Sequence, residues 1–174
     1  AHYLLGYLYN KEGEQNKAIS EFEQSISLDA SLPEPYYGLG LVYLKMWEFD
    51  LALENFNKAI ELDPNLEVAY YNRGKVYSAT LKFDLAIKDQ SKAIELNPTD
   101  SLNYLHRGFS YYSQRKLDLA ISDFSTAIQL DEKNAEAYYD RGLAYDLKDQ
   151  RDLAITDYSK AIQANPSYTS AYFS

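Results

Sequence analysis

Residues 36–43 read YYGLGLVY, and Ala52, Phe56, Ala59 and Pro64 follow this stretch at wider spacing. The same succession of residue types returns along the chain, with few departures, at a constant interval. Its glycine recurs at Gly6, Gly40, Gly74, Gly108 and Gly142, and its following tyrosine recurs at Tyr9, Tyr43, Tyr77, Tyr111 and Tyr145. Successive glycines stand 34 residues apart. A constant interval of this length predicts an array of equivalent repeats in which neighbours bury a continuous core.

The interval divides the chain into five repeats and the start of a sixth, with boundaries at 1–32, 33–66, 67–100, 101–134, 135–168 and 169–174. Each repeat is expected to contain two helices of ordinary length joined by short connections. The second helices are predicted to begin at a polar cap residue, which is Asn16, Asp50, Asp84, Asp118 or Asp152. They are predicted to end at Asp29, Asp63, Asn97, Asp131 and Asn165, three of which precede proline.

The sizes of residues on the first and second helices of a repeat predict how these two helices pack against each other. If the helices fold back on each other in antiparallel fashion, Gly40 lies opposite Phe56 and Tyr43 lies opposite Ala52. Two repeats further on, Gly108 with Phe124 and Tyr111 with Ala120 keep this combination of a large residue facing a small one. Such pairs let helices approach closely at the packing density of protein interiors. Gly38 has no predicted neighbour that would explain a glycine inside a first helix.

Three arginines are each followed by an aspartate at the same distance along the chain, which gives the pairs Arg73–Asp89, Arg107–Asp123 and Arg141–Asp157. The same antiparallel folding places these positions opposite each other on the two helices of one repeat. The sequence therefore predicts structural ion pairs between the helices. The alternative, a row of arginines that holds a carboxylate of a ligand, remains open.

The succession of aromatic residue, Leu-Gly, tyrosine, alanine, aromatic residue and proline resembles the tetratricopeptide repeat, a helix–turn–helix unit of about 34 residues. The resemblance extends over essentially the whole chain, and it departs from the family pattern at the three arginines, where leucine is usual. It implies an all-α fold, a right-handed α-solenoid or superhelix of antiparallel helix hairpins, with 1–174 as a single array. Because the array begins inside a repeat and ends with Tyr172 and Phe173 instead of a polar cap, we expect a fragment of a longer chain.

The resemblance also implies where a partner would bind, because the first helices of tetratricopeptide repeats line a concave groove. The positions that face this groove in the family carry Tyr3, Tyr7, Tyr37, Leu41, Leu44, Tyr71, Lys75, Leu102, Leu105, His106, Phe109, Tyr112, Tyr139 and Leu143. Such an apolar and aromatic lining suits an amphipathic helix or an extended apolar peptide. The alternative is that neighbouring first helices bury many of these rings against each other.

Composition argues against several other classes of function. The formal net charge is −9 and there is no basic run, so no nucleic-acid binding is expected. The chain has no cysteine, which argues against a disulfide framework or a thiolate metal site, and no stretch is apolar enough for membrane insertion. The two histidines, His2 and His106, stand far apart, so we expect no catalytic triad, metal site or cofactor. The lack of cysteine and of a visible targeting signal favours the cytoplasm.

The leading hypothesis is therefore a non-enzymatic adaptor that binds a protein segment in its groove. The resemblance also raises the carboxylate clamp with which some tetratricopeptide domains bind chaperone C-termini, but here only Asn72 matches a clamp position. Chaperone binding by that mode is not expected. Two alternatives remain: a scaffold that forms homo-oligomers through its terminal repeats, and the recognition arm of a larger enzyme. The identity of the partner does not follow from the fold.

Overall fold

The computed structural model describes residues 1–166, in which the backbone forms ten α-helices and no strand. Residues 167–174, which include Tyr172, Phe173 and the predicted sixth repeat, lie outside the described residues. The helices are α1 (His2–Glu12), α2 (Gln15–Leu28), α3 (Pro33–Lys45), α4 (Phe49–Leu62), α5 (Glu67–Ala79), α6 (Phe83–Leu96), α7 (Ser101–Ser113), α8 (Leu117–Leu130), α9 (Ala135–Asp146) and α10 (Arg151–Ala164). The prediction of an all-α solenoid built from helix hairpins is confirmed.

The chain divides into two compact units, Ala1–Thr80 and Leu81–Ser174. In the N-terminal compact unit, α1 packs on α2, α2 on α3, α3 on α4 and α4 on α5. In the C-terminal compact unit, α6 packs on α7, α7 on α8, α8 on α9 and α9 on α10. Each compact unit therefore consists of helices that pack in the order in which they follow each other along the chain. That 1–174 forms a single array stays a prediction.

The starts of the second helices differ from the prediction. Helix α4 begins at Phe49, so that Asp50 lies inside its first turn and Glu48 occupies the N-cap position without a capping bond from its side chain. The reason is the preceding turn, in which Trp47 adopts a positive φ of 62° and the Glu48 N–H donates to the Tyr43 carbonyl. This left-handed turn ends α3. It also lets α4 begin at Phe49, before the predicted cap residue Asp50.

The same arrangement recurs before α2, α8 and α10, where Gly13, Arg115 and Asp149 have positive φ. An aspartate in the first helical turn still interacts favourably with the helix dipole, which accounts for Asp50, Asp118 and Asp152 in the first turns of α4, α8 and α10. Side-chain caps occur instead on first helices, where Asp100 caps α7 and Asn134 caps α9. The predicted ends of the second helices are confirmed, because all five residues named for them are the C-caps.

Close contact between glycines and aromatic rings holds the hairpins together. A Cβ built on Gly40 would lie 2.5 Å from the ring of Phe56, which is fully buried, so the predicted pair is confirmed. The tertiary structure also explains Gly38, for which the sequence offered no neighbour. Gly38 lies against the buried ring of Phe22, which belongs to the preceding hairpin, and a Cβ at Gly38 would overlap that ring. Glycine is thus required both within a hairpin and between two successive hairpins of the N-terminal compact unit.

Candidate functional site

Arg107 on α7 is enclosed by acceptors and aromatic rings of the protein itself. Its Nε lies 2.7 Å from Asp123 Oδ2 and its Nη2 lies 2.9 Å from Asp123 Oδ1, so the guanidinium makes a bidentate ion pair with α8. Its Nη1 donates to Ser91 Oγ on α6 at 3.1 Å. The guanidinium also lies 5.8 and 5.9 Å from the ring centroids of Tyr104 and Tyr111. Hydrogen bonding to Asp123 raises the pKa of the guanidinium.

Arg141 on α9 repeats this arrangement one repeat later. It makes two bonds of 2.7 and 2.8 Å to Asp157 and a third of 2.9 Å to Ser125 of the preceding second helix. Its guanidinium lies 5.8 Å from the rings of both Tyr138 and Tyr145. Since these contacts engage the guanidinium with the surrounding helices, they favour a structural role for the arginines over capture of a ligand carboxylate.

The third predicted pair joins residues of different compact units, and its geometry stays a prediction. Within the N-terminal compact unit, Arg73 donates from Nη1 to Asn57 Oδ1 at 2.6 Å and lies near the rings of Tyr70 and Tyr77. This bond to the preceding second helix is equivalent to those that the other two arginines make to serines. Asp89, the predicted partner, is buried in the C-terminal compact unit.

Helix α7 presents the most accessible part of the surface predicted to bind a partner. Leu102, His106 and Phe109 follow each other at spacings of four and three residues, which places them on one side of the helix. Leu102 is 42% exposed and Phe109 is 43% exposed, while His106 is half-buried. We refer to these three residues as the α7 face. The α7 face lies on one first helix of the C-terminal compact unit, and its two exposed residues, Leu102 and Phe109, are apolar.

Leu105 is a core residue, and the prediction that it lines the binding surface is wrong. It is only 2% exposed and belongs to a buried cluster with Phe124 of α8 and Ala137 of α9. The next residue, His106, is half-buried, since successive helical residues point about 100° apart and so meet different surroundings. Of the residues predicted to line the groove on α7, Leu105 therefore lies in the core, whereas Leu102 and Phe109 are exposed.

Other predicted residues of the C-terminal compact unit lie between these extremes. Tyr112, Tyr139 and Leu143 are half-buried, and both tyrosines pack against the core cluster. The ring of Tyr139 lies 5.7 Å from that of Tyr158, and burial raises the pKa of Tyr158 to about 12. The alternative expectation, that neighbouring helices bury many of these rings, therefore holds in part.

The predicted residues of the N-terminal compact unit form a more closed surface. Tyr3, Tyr37, Leu41, Leu44, Tyr71 and Lys75 are half-buried, and Tyr7 is exposed. Tyr37 packs 6.0 Å from the ring of Phe56 and accepts a hydrogen bond of 3.2 Å from Asn72 Nδ2, and burial raises the Tyr37 pKa to about 12. The ammonium group of Lys75 lies 5.3 Å from the ring centroid of Tyr71. These contacts leave less apolar area available than on α7.

The sequence-based prediction missed Asp140 on α9. Asp140 occupies the position of its repeat that His106 occupies one repeat earlier. The Asp140 side chain is half-buried; burial, together with the negative charge of Glu136, raises its pKa to about 7. The signal was its position, which faces the groove in the family, but the prediction did not include Asp140.

Among the described residues, no group of three or more histidine, cysteine, aspartate or glutamate side chains could hold a metal ion. In the same part of the chain, every helix is too short or too polar to cross a membrane.

Helix hairpins that recur at a constant interval define this chain as a helical repeat protein of the solenoid class. The sequence profile for the tetratricopeptide repeat matches residues 33–66, 68–100 and 135–168, more than half of the chain, and a related TPR repeat profile matches 6–46 and 108–149. The chain belongs to the tetratricopeptide repeat family. Repeats of this fold form protein–protein interaction modules.

Solved structures of other proteins share the fold along nearly all of the chain. YrrB, described as a TPR protein with an unusual peptide-binding site, is 27% identical, with a TM-score of 0.84 over 99% of this chain and 89% of that one. MamA is 26% identical, with a TM-score of 0.86 over 95% of this chain and 97% of that one. A thermophilic TPR protein of Thermus thermophilus is 22% identical, with a TM-score of 0.75 over 99% of this chain and 94% of that one, and supports the fold alone. No curated protein sequence matches the chain.

Proposed function

We propose that this chain is a non-enzymatic adaptor that binds a peptide or helical segment of a protein partner on the α7 face. The observation that carries the proposal is the pair of exposed apolar side chains, Leu102 and Phe109, on one side of a first helix, with the half-buried His106 between them. In the tetratricopeptide repeat family, the first helices line the groove. Leu102 and Phe109 lie two helical turns apart, which matches the spacing of the apolar anchors of an amphipathic helix. The described peptide-binding site of YrrB is consistent with a peptide as the ligand.

The α7 face is small, so we expect modest affinity from this surface. Two half-exposed apolar side chains can each contribute about 1–2 kcal/mol when a partner covers them. Part of that gain is offset by the loss of freedom on association. The half-buried residues Tyr112 and Tyr139 lie on the same and the next first helix and can extend the contact.

The proposal is tested by selecting peptides from a displayed library of random dodecapeptides on the immobilised 174-residue chain. The test variant is Leu102→Glu/Phe109→Glu. The matched control is Leu119→Glu/Leu153→Glu, which changes two leucines that are 50% and 47% exposed on second helices of the same compact unit. Circular dichroism spectra establish that all three proteins remain helical.

We expect the native chain and the control variant to enrich the same peptides and the α7 variant to lose them. Equal retention by all three proteins, or the absence of any enriched peptide, would contradict binding on the α7 face. If the chain instead forms concentration-dependent oligomers that the α7 variant retains, the self-assembling scaffold is the better description of the protein. Sedimentation at several protein concentrations distinguishes that outcome.

A further inference from the structure

Asp140 is an acceptor without a donor in the described part of the chain. None of the hydrogen bonds or ion pairs among residues 1–166 involves its carboxylate, although the side chain is half-buried. Buried or partly buried carboxylates are ordinarily paired or hydrogen-bonded, because loss of water around the charged form is unfavourable. Burial and the negative charge of Glu136 both raise the pKa of Asp140, so nothing nearby compensates for the lost hydration.

Comparison with the equivalent position of another repeat shows why Asp140 lacks a partner. Asn72 occupies that position in α5, and its amide donates to the hydroxyl of Tyr37 on the preceding first helix. In the repeat that precedes Asp140, the residue equivalent to Tyr37 is Leu105, which has no hydroxyl group. The donor amide is thus replaced by a carboxylate that can only accept, and the hydroxyl is replaced by methyl groups. Within residues 1–166, no donor replaces the water that this half-buried carboxylate has lost.

The surroundings of Asp140 suit a cationic group. Helices α7 and α9 are in contact, and the charge of Asp140 acts on Tyr112 of α7. Burial raises the pKa of the Tyr112 hydroxyl, Arg115 lowers it, and the charge of Asp140 raises it again. Beside the α7 face, the ring of Tyr112 on α7 and the carboxylate of Asp140 on α9 thus lie near each other, and both attract a lysine or arginine side chain. The chain as a whole carries a net charge of −9, which favours the approach of a basic segment.

We propose that the peptide bound on the α7 face carries a lysine or arginine side chain whose cationic group pairs with the carboxylate of Asp140. This inference rests on the proposed function, since it names the chemistry of the partner at the same surface. The apolar part of the peptide covers Leu102 and Phe109, and its basic side chain reaches the neighbouring first helix. The cation supplies the donors that the fold does not, so Asp140 contributes specificity as well as affinity.

The test uses the peptides selected on the native chain, synthesised with a fluorophore, and measures their dissociation constants by fluorescence anisotropy. Measurements are made at about pH 8, where Asp140 is ionised. The test variant is Asp140→Asn, which keeps the shape of the side chain and removes its charge. The matched control is Glu132→Gln, which removes one negative charge from an exposed residue of the turn between α8 and α9. In each peptide, lysine is replaced by norleucine or arginine by citrulline.

We expect the selected peptides to share a basic residue, and we expect Asp140→Asn to weaken their binding about tenfold. Removing the basic charge from the peptide should weaken binding to the native chain by a similar factor. It should not weaken binding to Asp140→Asn any further, because the pair is already broken. Glu132→Gln should change the affinity by less than about twofold, as expected for a screened exposed charge.

The outcomes separate this inference from the proposed function. If peptides bind and depend on Leu102 and Phe109 but bind equally well to Asp140→Asn, the pairing with Asp140 is refuted while peptide binding stands. Selection of peptides that share no basic residue also refutes the pairing. If no peptide is selected at all, binding on the α7 face and its dependence on a basic side chain fail together.

Discussion

Single side chains in this chain carry two different kinds of electrostatic interaction. Arg107 and Arg141 are held by carboxylates, hydroxyls and aromatic rings from three helices each. Asp140 receives no such contact in the described part of the chain. The arginines therefore join neighbouring helices, whereas no such role follows from the contacts of Asp140, and we proposed above that it binds a basic side chain of a partner.

Removal of Asp123 should destabilise the protein, because it leaves the guanidinium of Arg107 partly buried without its counter-charge. We expect Asp123→Ala to lower the free energy of unfolding by about 2–4 kcal/mol. Lys160→Ala removes an exposed ammonium group that lies over the ring of Tyr138 and should cost less than about 1 kcal/mol. Urea unfolding of both variants makes the comparison, and equal midpoints would show that the Arg107 pair contributes nothing specific.

Stability should depend on pH through Asp140. Its pKa in the folded protein is about 7, above the ordinary value of 3.8 expected for the unfolded chain, so the folded state binds the proton more tightly. The stabilisation from protonated Asp140 is therefore present at low pH and is lost as the pH rises from about 4 to about 7.

Asp140→Asn cannot ionise, so its stability does not fall as the pH rises. The variant should therefore be more stable than the native chain by about 1–2 kcal/mol at about pH 8 and equal to it near pH 4. This is less than the full shift would give, because the carboxyl is only partly shielded from water. Tyr112 and Glu136 are the titratable groups that interact with Asp140 and are unchanged in the variant. Urea unfolding at the two pH values measures the difference, and a gap that does not change with pH would rule out this explanation.

At the scale of helices, the distance between two packed elements depends on glycine. The ring of Phe56 occupies the space where Gly40 lacks a Cβ, and the ring of Phe22 does the same at Gly38. The first of these contacts lies inside a hairpin and the second lies between hairpins. A larger residue at either glycine must push two helices apart or force the ring out of place.

Gly40→Leu should therefore destabilise the protein by about 1–3 kcal/mol or more. The control is Ala79→Leu, at an exposed position near the end of another first helix, which should change the free energy of unfolding by less than about 0.5 kcal/mol. Thermal and urea unfolding of the two variants provide the measurement. If the two substitutions had equal effects, the helices would not be in the close contact that the structure shows.

At the scale of the whole molecule, a repeated core supports surfaces that differ from repeat to repeat. Alanines such as Ala18, Ala52 and Ala120 are fully buried at equivalent positions. The sixth position of the first helices varies between glycine, asparagine, histidine and aspartate, at Gly38, Asn72, His106 and Asp140. Gly38 and Asn72 are buried at this position, whereas His106 and Asp140 are half-buried, so one repeat position differs in exposure while the alanine core is kept.

Binding at the proposed surface should also stabilise the whole protein. A selected peptide present at about one hundred times its dissociation constant should raise the free energy of unfolding of the native chain by about 2.7 kcal/mol. The same concentration should leave Leu102→Glu/Phe109→Glu unchanged. Thermal unfolding with and without peptide measures this effect. Equal stabilisation of the two proteins would place the binding site elsewhere on the chain.

The sequence was sufficient for features that depend on local pattern and on the repeat itself. The constant interval between repeats predicted ten helices, and the aspartates, asparagines and prolines marked where the second helices end. The pairing of Gly40 with Phe56 followed from antiparallel folding alone. These features could be predicted because they involve residues close in sequence, whose geometry is set by helix periodicity and by the steric limits of proline.

Other features depended on tertiary contacts or on backbone geometry. The second helices begin early because the preceding turns adopt a left-handed conformation. Apart from Gly13, the residues in that conformation are Trp47, Leu81, Arg115 and Asp149, which no single residue type signals. Leu105 is buried because helices α8 and α9 pack against it. In the described part of the chain Asp140 has no donor, because the equivalent of the Tyr37 hydroxyl is a leucine side chain. The sequence by itself determined the helices and their repetition, since these follow from local sterics and hydrophobic periodicity. Only the tertiary structure decided which side chains of the first helices face the core and which stay exposed, since burial depends on neighbours distant in sequence.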